Sequence, residues 1–292
     1  MKTTKYGRNI IEIESNDADK FLLLSDLHFD HPKCRRDLLE QHLDQAINEG
    51  AKILINGDFF CLMQGKYDKR ASKQDIRPEH IGANYFDLVV NEAVEWWAKY
   101  AHHLLFVGYG NHETSVVKRH EIDLTERFVT TLNYKTGASV LNGGYAGWIV
   151  FKVARLSSNS YRKFFVKYHH GHGGGGPVTK GVIQHQRMGA QVDGADVLWM
   201  GHVHELYHHV NIKESLSRNK PYLNVQKVQH DIRTSTYKDE FNDGSFGWHI
   251  ERGAYGKPIG GYLMQLNYDR DTTKGLDNAI VNAEFRAIYS TI

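Results

Sequence analysis

The chain has 292 residues, with 36 lysines and arginines against 34 aspartates and glutamates, a formal net charge of +2. Its 41% hydrophobic and 24% charged residues lie near the globular norm, which excludes a disordered, collagen-like or coiled-coil chain and gives no bulk-charge signal of a nucleic-acid binder. Two cysteines, Cys34 and Cys61, are too few for a disulfide framework, and neither the polar start nor any later stretch has the apolar run of a signal or a membrane span, so a cytoplasmic protein without a membrane partner is expected.

The apolar run at residues 21–24 predicts a buried strand that stops at Ser25-Asp26-Leu27-His28. After Pro32, the spacing of Leu38, Leu39, Leu43, Ala46 and Ile47 predicts a helix with one buried face, closed by Gly50. A second run at 53–55 leads into Asn56-Gly57-Asp58, and a second helical pattern over 78–100 carries Ile81, Tyr85, Leu88, Val89, Ala93, Trp96 and Trp97. Further runs at 104–107, 164–166 and 197–200 precede Gly110-Asn111-His112, His169-His170-Gly171 and Gly201-His202-Val203-His204. Short apolar runs bounded by turn residues read as strands buried on both faces. Alternation with helices predicts parallel strands with right-handed crossovers, whose ligand sites gather beyond the carboxyl ends. Past Glu205, aromatic-rich stretches such as 262–268 predict antiparallel strands that complete a second sheet within a single domain, residues 1–292.

A Gly-Asp or an Asn-His at one strand end is ordinary turn or cap chemistry. Here all five runs end in oxygen or imidazole donors, and four of the five ends carry histidine. Asp26-x-His28 and His202-x-His204 are expected to project two side chains to one side of an extended segment. With Asp58, Asn111 and one histidine of His169 and His170 they give seven candidate donors, more than the four of one tetrahedral zinc site. Two divalent cations fit better, bridged by a carboxylate such as Asp58 and placed about 3.5–4 Å apart to act on a phosphoryl group. Oxygen and imidazole ligands suit manganese, iron, zinc, cobalt or nickel.

In order and content these blocks, Asp26-x-His28, Gly57-Asp58, Gly110-Asn111-His112-Glu113, His170-Gly171 and Gly201-His202-x-His204, resemble the calcineurin-like metallophosphoesterase family from about residue 20 to residue 205. The resemblance implies a four-layer αββα sandwich with two mixed β-sheets and a dinuclear metal site at the carboxyl ends of the strands. It assigns Asp26, His28 and His204 to one metal, Asn111, His170 and His202 to the other, and Asp58 to both. His112 would protonate the leaving oxygen. His169 is the alternative ligand if its strand ends one residue earlier, and the residues after Asp58, Phe59-Phe60-Cys61, offer no acidic partner to orient His112. The implied activity is hydrolysis of a phosphodiester, of nucleic acid or nucleotide type, by metal-activated hydroxide. The alternatives are a phosphomonoesterase and a non-catalytic scaffold that keeps the fold.

Four flanking features are expected to face substrate. Residues 152–187 hold Lys152, Arg155, Arg162, Lys163, Lys167, Lys180 and Arg187 and no acid, a local +7 that would steer anions. The glycines at 173–176 would let backbone approach a bound phosphate. The stretch 64–79 reads as a substrate-facing loop or a solvated insertion, and 237–255, with Phe241, Phe246 and Trp248, as a lid or as packing of the second sheet.

Overall fold

The computed structural model describes residues 1–7, 9–62, 72–155, 160–218, 220–239, 253, 256–271 and 278–290. Two strands, β1 (Thr3–Tyr6) and β2 (Ile10–Asn16), precede β3 (Lys20–Leu24), α1 (Arg36–Asn48), β4 (Lys52–Ile55), α2 (Tyr85–Trp97) and β5 (Leu104–Val107). There follow α3 (Asn111–His120), α4 (Leu124–Thr136), β6 (Leu141–Asn142), β7 (Ala146–Ala154) and β8 (Tyr161–His169). The chain continues through α5 (Val182–Gln191), β9 (Val197–Met200), β10 (Tyr207–Leu216), β11 (Asn224–Arg233), β12 (Ile259–Asp271) and β13 (Asn278–Ser290). This is a mixed α/β fold with two mixed sheets, one of seven strands in the order β1-β2-β7-β8-β9-β11-β10 and one of six in the order β13-β12-β3-β4-β5-β6.

The short apolar runs are strands covered on both sides, and their side chains divide accordingly. Leu22, Leu24, Ile53, Ile55 and Val107 share a core with Leu39 and Leu43 of α1, Val89 and Ala93 of α2 and Phe128 of α4. Phe21, Leu23, Leu54 and Phe106 share another with Ile149, Phe151, Phe164, Val166 and Trp199 of the other sheet. β3, β4 and β5 are parallel, as the alternation with helices predicts, with a register shift between Ile53 and Leu54.

Two elements differ from the sequence reading. The helix expected from residue 78 begins at Tyr85 and ends at Trp97, flanked by separate turns at Pro78–His80 and Ala98–Tyr100. Proline fits the first position of the short turn, and Gly82 follows it where an uninterrupted helix would need a better former. The strands past Glu205 do not all complete the second sheet. β10 and β11 extend the seven-stranded sheet through the parallel pair β11–β9, whereas β12 pairs antiparallel with β3 and carries β13 onto the edge of the six-stranded one. No helix among the described residues is long and apolar enough to cross a membrane.

Candidate metal centre

Every strand that ends beside this centre delivers at least one candidate ligand. Asp26 and His28 follow β3, Asp58 follows β4, Asn111 and His112 open α3 after β5, His170 follows β8, and His202 and His204 follow β9. The D-x-H and H-x-H pairs are not in extended strand, which corrects the period-two argument. Asp26, His28, Asp58, His202 and His204 all take positive φ, from 46° to 74°, and make up five of the nine non-glycine residues in that region among those described. Left-handed backbone costs about 1–3 kcal/mol per non-glycine residue and persists only where surrounding structure enforces it. Here Asp26 N–H donates to Gly57 O at 2.9 Å and His28 N–H to Asp58 O at 3.0 Å, so the two loops hold each other.

The side chains gather in two groups, Asp26 with His28 and His204, and Asp58 with His170 and His202, each offering ligand atoms within 4.8 Å of one another. His204 Nε2 is 3.5 Å from Asp26 Oδ1, and His170 Nε2 is 3.2 Å from Asp58 Oδ2 and 3.9 Å from Asp26 Oδ1. The histidine that reaches the carboxylates is therefore His170. His169 instead accepts the Gly171 N–H through its Nδ1 at 2.9 Å.

Hydrogen bonds to carbonyl oxygens fix which ring nitrogen carries the proton, since a carbonyl can only accept. His170 Nδ1 donates to Asn56 O at 2.9 Å, and His202 Nε2 donates to Gly173 O at 2.8 Å. The opposite atoms, His170 Nε2 and His202 Nδ1, are buried without a hydrogen-bond partner, as are His28 Nδ1 and Asn111 Oδ1. His28 Nε2 and His204 Nε2 stand 3.3 Å apart. Imidazole nitrogens this close to one another and to two buried carboxylates form an arrangement that a cation satisfies.

Charge in the pocket follows from these neighbours. Burial would raise both aspartates. The His170 charge, joined by His112 at Asp58 and by His204 at Asp26, instead holds them below the ordinary carboxylate value, Asp58 far below it. Burial would lower His170, yet Asp58 and Asp26 outweigh it and raise its pKa to about 10. Without a metal, then, an imidazolium balances the carboxylates. His28, desolvated and beside His112, is pushed well below its ordinary value and is neutral, the form that ligates.

The pocket admits these groups because two glycines have no side chain. A Cβ at Gly110 would fall 2.0 Å from Asp58 Oδ1, and one at Gly201 would fall 2.5 Å from Asp26 Oδ2. That is the physical content of the Gly-Asn-His and Gly-His-x-His blocks.

No protein-family model matches the chain, and no curated protein matches it.

Three residues to which the sequence reading gave no role, Asp30, Cys61 and Glu113, shape the site around His112. His112 has no carboxylate on its Nδ1; that atom donates to the Cys61 carbonyl, leaving Nε2 4.0 Å from Asp58 Oδ2. Asp30 fixes that carbonyl's segment by accepting the Cys61 and Leu62 N–H groups and the Tyr85 hydroxyl. Glu113 accepts Gly110 N–H at 2.7 Å and Phe60 N–H at 2.9 Å, tying the start of α3 to the loop after Asp58. The continued period Asp26-x-His28-x-Asp30 and the acid three residues after Gly110 were available signals.

The part of the basic segment carried by β7 and β8 is not concentrated here. Lys152, Lys163 and Lys167 project from the outer face of their sheet because Phe151, Val153, Phe164 and Val166 take the inner one. Arg162 and Lys163 lie at the far end of β8 from His170, about 23–26 Å away at about 3.3 Å per residue. Lys152 pairs with Glu14 at 3.7 Å and lies over Tyr161, while Lys167 lies over Trp148. The glycine loop contributes through the Gly173 carbonyl on His202. Residues 64–71, 240–252, 254 and 255 lie outside the described residues, so most of the expected lid and half of the expected loop do too. Asp75, within that loop, pairs with His31 at 3.2 Å.

Proposed function

We propose that the chain is a metal-dependent phosphoesterase of the calcineurin-like kind, a four-layer αββα sandwich that hydrolyses a phosphodiester at a dinuclear centre at the carboxyl ends of its strands. One observation carries this reading. Donors from four separate segments meet in two groups, Asp26–His28–His204 and Asp58–His170–His202, with buried ring nitrogens left unpartnered. In this reading Asn111, whose Oδ1 is equally unpartnered, joins the second group, and Asp58 serves both. Two divalent ions there would activate water toward hydroxide and offset charge on the phosphoryl oxygens.

The chain's own residues do the rest. Asp58 Oδ1 accepts the His112 N–H at 3.0 Å, which fixes the helix start that presents the ring. With Nδ1 committed to Cys61 O, proton transfer runs through His112 Nε2, which faces the carboxylates and is positioned to protonate a leaving alkoxide. Asp30 and Glu113 keep the Cys61 carbonyl and Gly110 in place, and so hold the acid against the ligands.

Metal analysis of the purified chain should give two divalent ions per molecule, and manganese should support hydrolysis of an aryl phosphodiester. Asp58→Asn should lose more activity than the about 10–100-fold that an outer-shell partner typically costs. Retained activity in that variant, or a native chain that binds no metal, would refute the reading. The distance of Lys152, Arg162 and Lys163 from the centre favours a short substrate over a long polynucleotide. A panel of cyclic nucleotides, single-stranded DNA and aryl monoesters ranks these, and metal binding without turnover of any would indicate a scaffold.

A further inference from the structure

Cys61 lies three residues after Asp58, and it does not face away from the centre. Its side chain, His28 and His112 each offer a ligand atom, and the three lie within 4.8 Å of one another. Cys61 is 1% and His28 2% exposed, and His28 Nδ1 is buried without a hydrogen-bond partner. The His28 and His112 rings stand edge to face, with centroids 4.9 Å apart. Two hydrogen bonds fix the thiol-bearing residue: its N–H donates to Asp30 and its carbonyl accepts from His112. The other cysteine, Cys34, is also buried but belongs to none of these groups.

We infer that Cys61, His28 and His112 form a third metal site, selective for a soft divalent cation such as zinc or cadmium, that overlaps the proposed catalytic centre and shuts it when occupied. A sulfur and two imidazole nitrogens are what zinc and cadmium prefer over manganese and magnesium, whose ligands are mainly oxygen. Tetrahedral zinc, with Zn–S of about 2.3 Å and Zn–N of about 2.05 Å, needs ligand atoms about 3.5 Å apart. Side-chain movements of about 1 Å therefore close the site. On binding, the thiol proton leaves to solvent as the metal–sulfur bond forms, and the ion exchanges waters for the two imidazoles. Occupancy takes His28 from Asp26 and His204 and takes His112 from proton transfer. Asp58, His170 and His202 stay untouched. A soft ion and the catalytic pair therefore compete for one histidine, and the cell's zinc level would gate the activity.

The inhibition rests on the phosphoesterase reading, whereas the binding does not, and the experiment separates them. Metal-free protein is titrated with cadmium while the ultraviolet thiolate-to-cadmium charge-transfer band is followed. One equivalent should generate the band in the native chain, in Cys34→Ser and in Asp58→Asn, and Cys61→Ser, checked for folding by circular dichroism, should lack it. A band that persists in Cys61→Ser, or no band in the native chain, overturns the site. Because Asp58→Asn removes the proposed bridging ligand, its band reports on the third site even if no phosphoesterase activity exists. With manganese-supported hydrolysis, Cys61→Ser should need at least about tenfold more zinc for half-inhibition, the lower end of what losing even an outer-shell partner costs. Equal zinc sensitivity in the two proteins would overturn the inhibitory role.

Discussion

Gly110 gives the sharpest test of how the centre is packed. Its φ is ordinary, so backbone conformation does not require glycine; space does. A Cβ there would fall 2.0 Å from Asp58 Oδ1 and 2.4 Å from the Asp58 backbone nitrogen. Asp58 cannot retreat cheaply. Its Oδ1 accepts the His112 N–H at 3.0 Å, its carbonyl accepts the His28 N–H at 3.0 Å, and its own φ is already 46°. Overpacking of a fixed neighbour costs about 1–3 kcal/mol, and this site belongs at the upper end. The gain of about 0.4–1 kcal/mol from a stiffer unfolded chain is offset by the loss of glycine at a helix N-cap. Gly110→Ala should therefore destabilise the metal-free protein by about 2–3 kcal/mol, or about 4–12 °C in Tm at about 2–4 °C per kcal/mol. Denaturant unfolding with a chelator present measures it. Gly174→Ala, where an added Cβ meets nothing within 4 Å, is the control and should stay within about 0.5 kcal/mol. Equal stability of the two variants would refute the claim that the glycine exists to admit the carboxylate.

Removing His112 should discriminate between substrates. His112→Ala should slow poor leaving groups by about 10²–10⁴-fold and activated aryl esters far less, and equal losses would contradict a general-acid role. Divalent metal at about 100 times its Kd should raise stability by about 2.7 kcal/mol in the native chain and much less in His170→Ala, as read by thermal unfolding; equal gains would place the metal elsewhere. Acid should act through Glu92. Burial opposes its ionisation, but Arg36 at 2.6 Å and His80 at 2.8 Å lower its pKa from 4.5 to about 2. A lowered folded-state value means that its contribution is complete above pH 4.5 and is lost as pH falls toward about 2. Glu92→Gln should flatten the pH dependence of stability across that window, and parallel curves would contradict the assignment.

The parallel strands and their terminal Asp, Asn and His residues were legible because both rest on local patterns. Runs such as 53–55 announce a strand covered on both faces, and turn-rich ends announce where it stops. The N-terminal strand Ile10–Asn16 also carried a local signal, with Ile11 and Ile13 buried and Ile10 and Glu14 exposed. So did α4, with Asp123 capping the Glu126 N–H and Gly137 in a left-handed C-cap. What stayed hidden is non-local or carried by backbone. The division of the C-terminal strands depends on β12 meeting β3, more than two hundred residues earlier in the chain. The orienting group for His112 is a carbonyl, which every residue possesses and no motif marks. The choice between His169 and His170 turned on a single residue of strand length, because side chains on a strand alternate faces. Part of the basic run misled for the same reason: Lys152, Lys163 and Lys167 alternate with inward-facing apolar residues, and so they line the outside of a sheet.

The left-handed loops after β3 and β9 are brought together across 176 residues between His28 and His204, and those after β4 and β8 across 114 between Asn56 and His170. Contacts of such long range form late in folding, after the closure entropy of the intervening chain has been met. A chain emerging from the ribosome cannot assemble the whole centre before residue 204 is free, when β10 to β13 are still to be added. An ion bound there would add metal bonds between the ends of two sheets already joined by an apolar core and by hydrogen bonds such as that of His170 to Asn56. Amide hydrogen exchange should show the ends of β3, β4, β8 and β9 slowing together, as one unit, when metal is added.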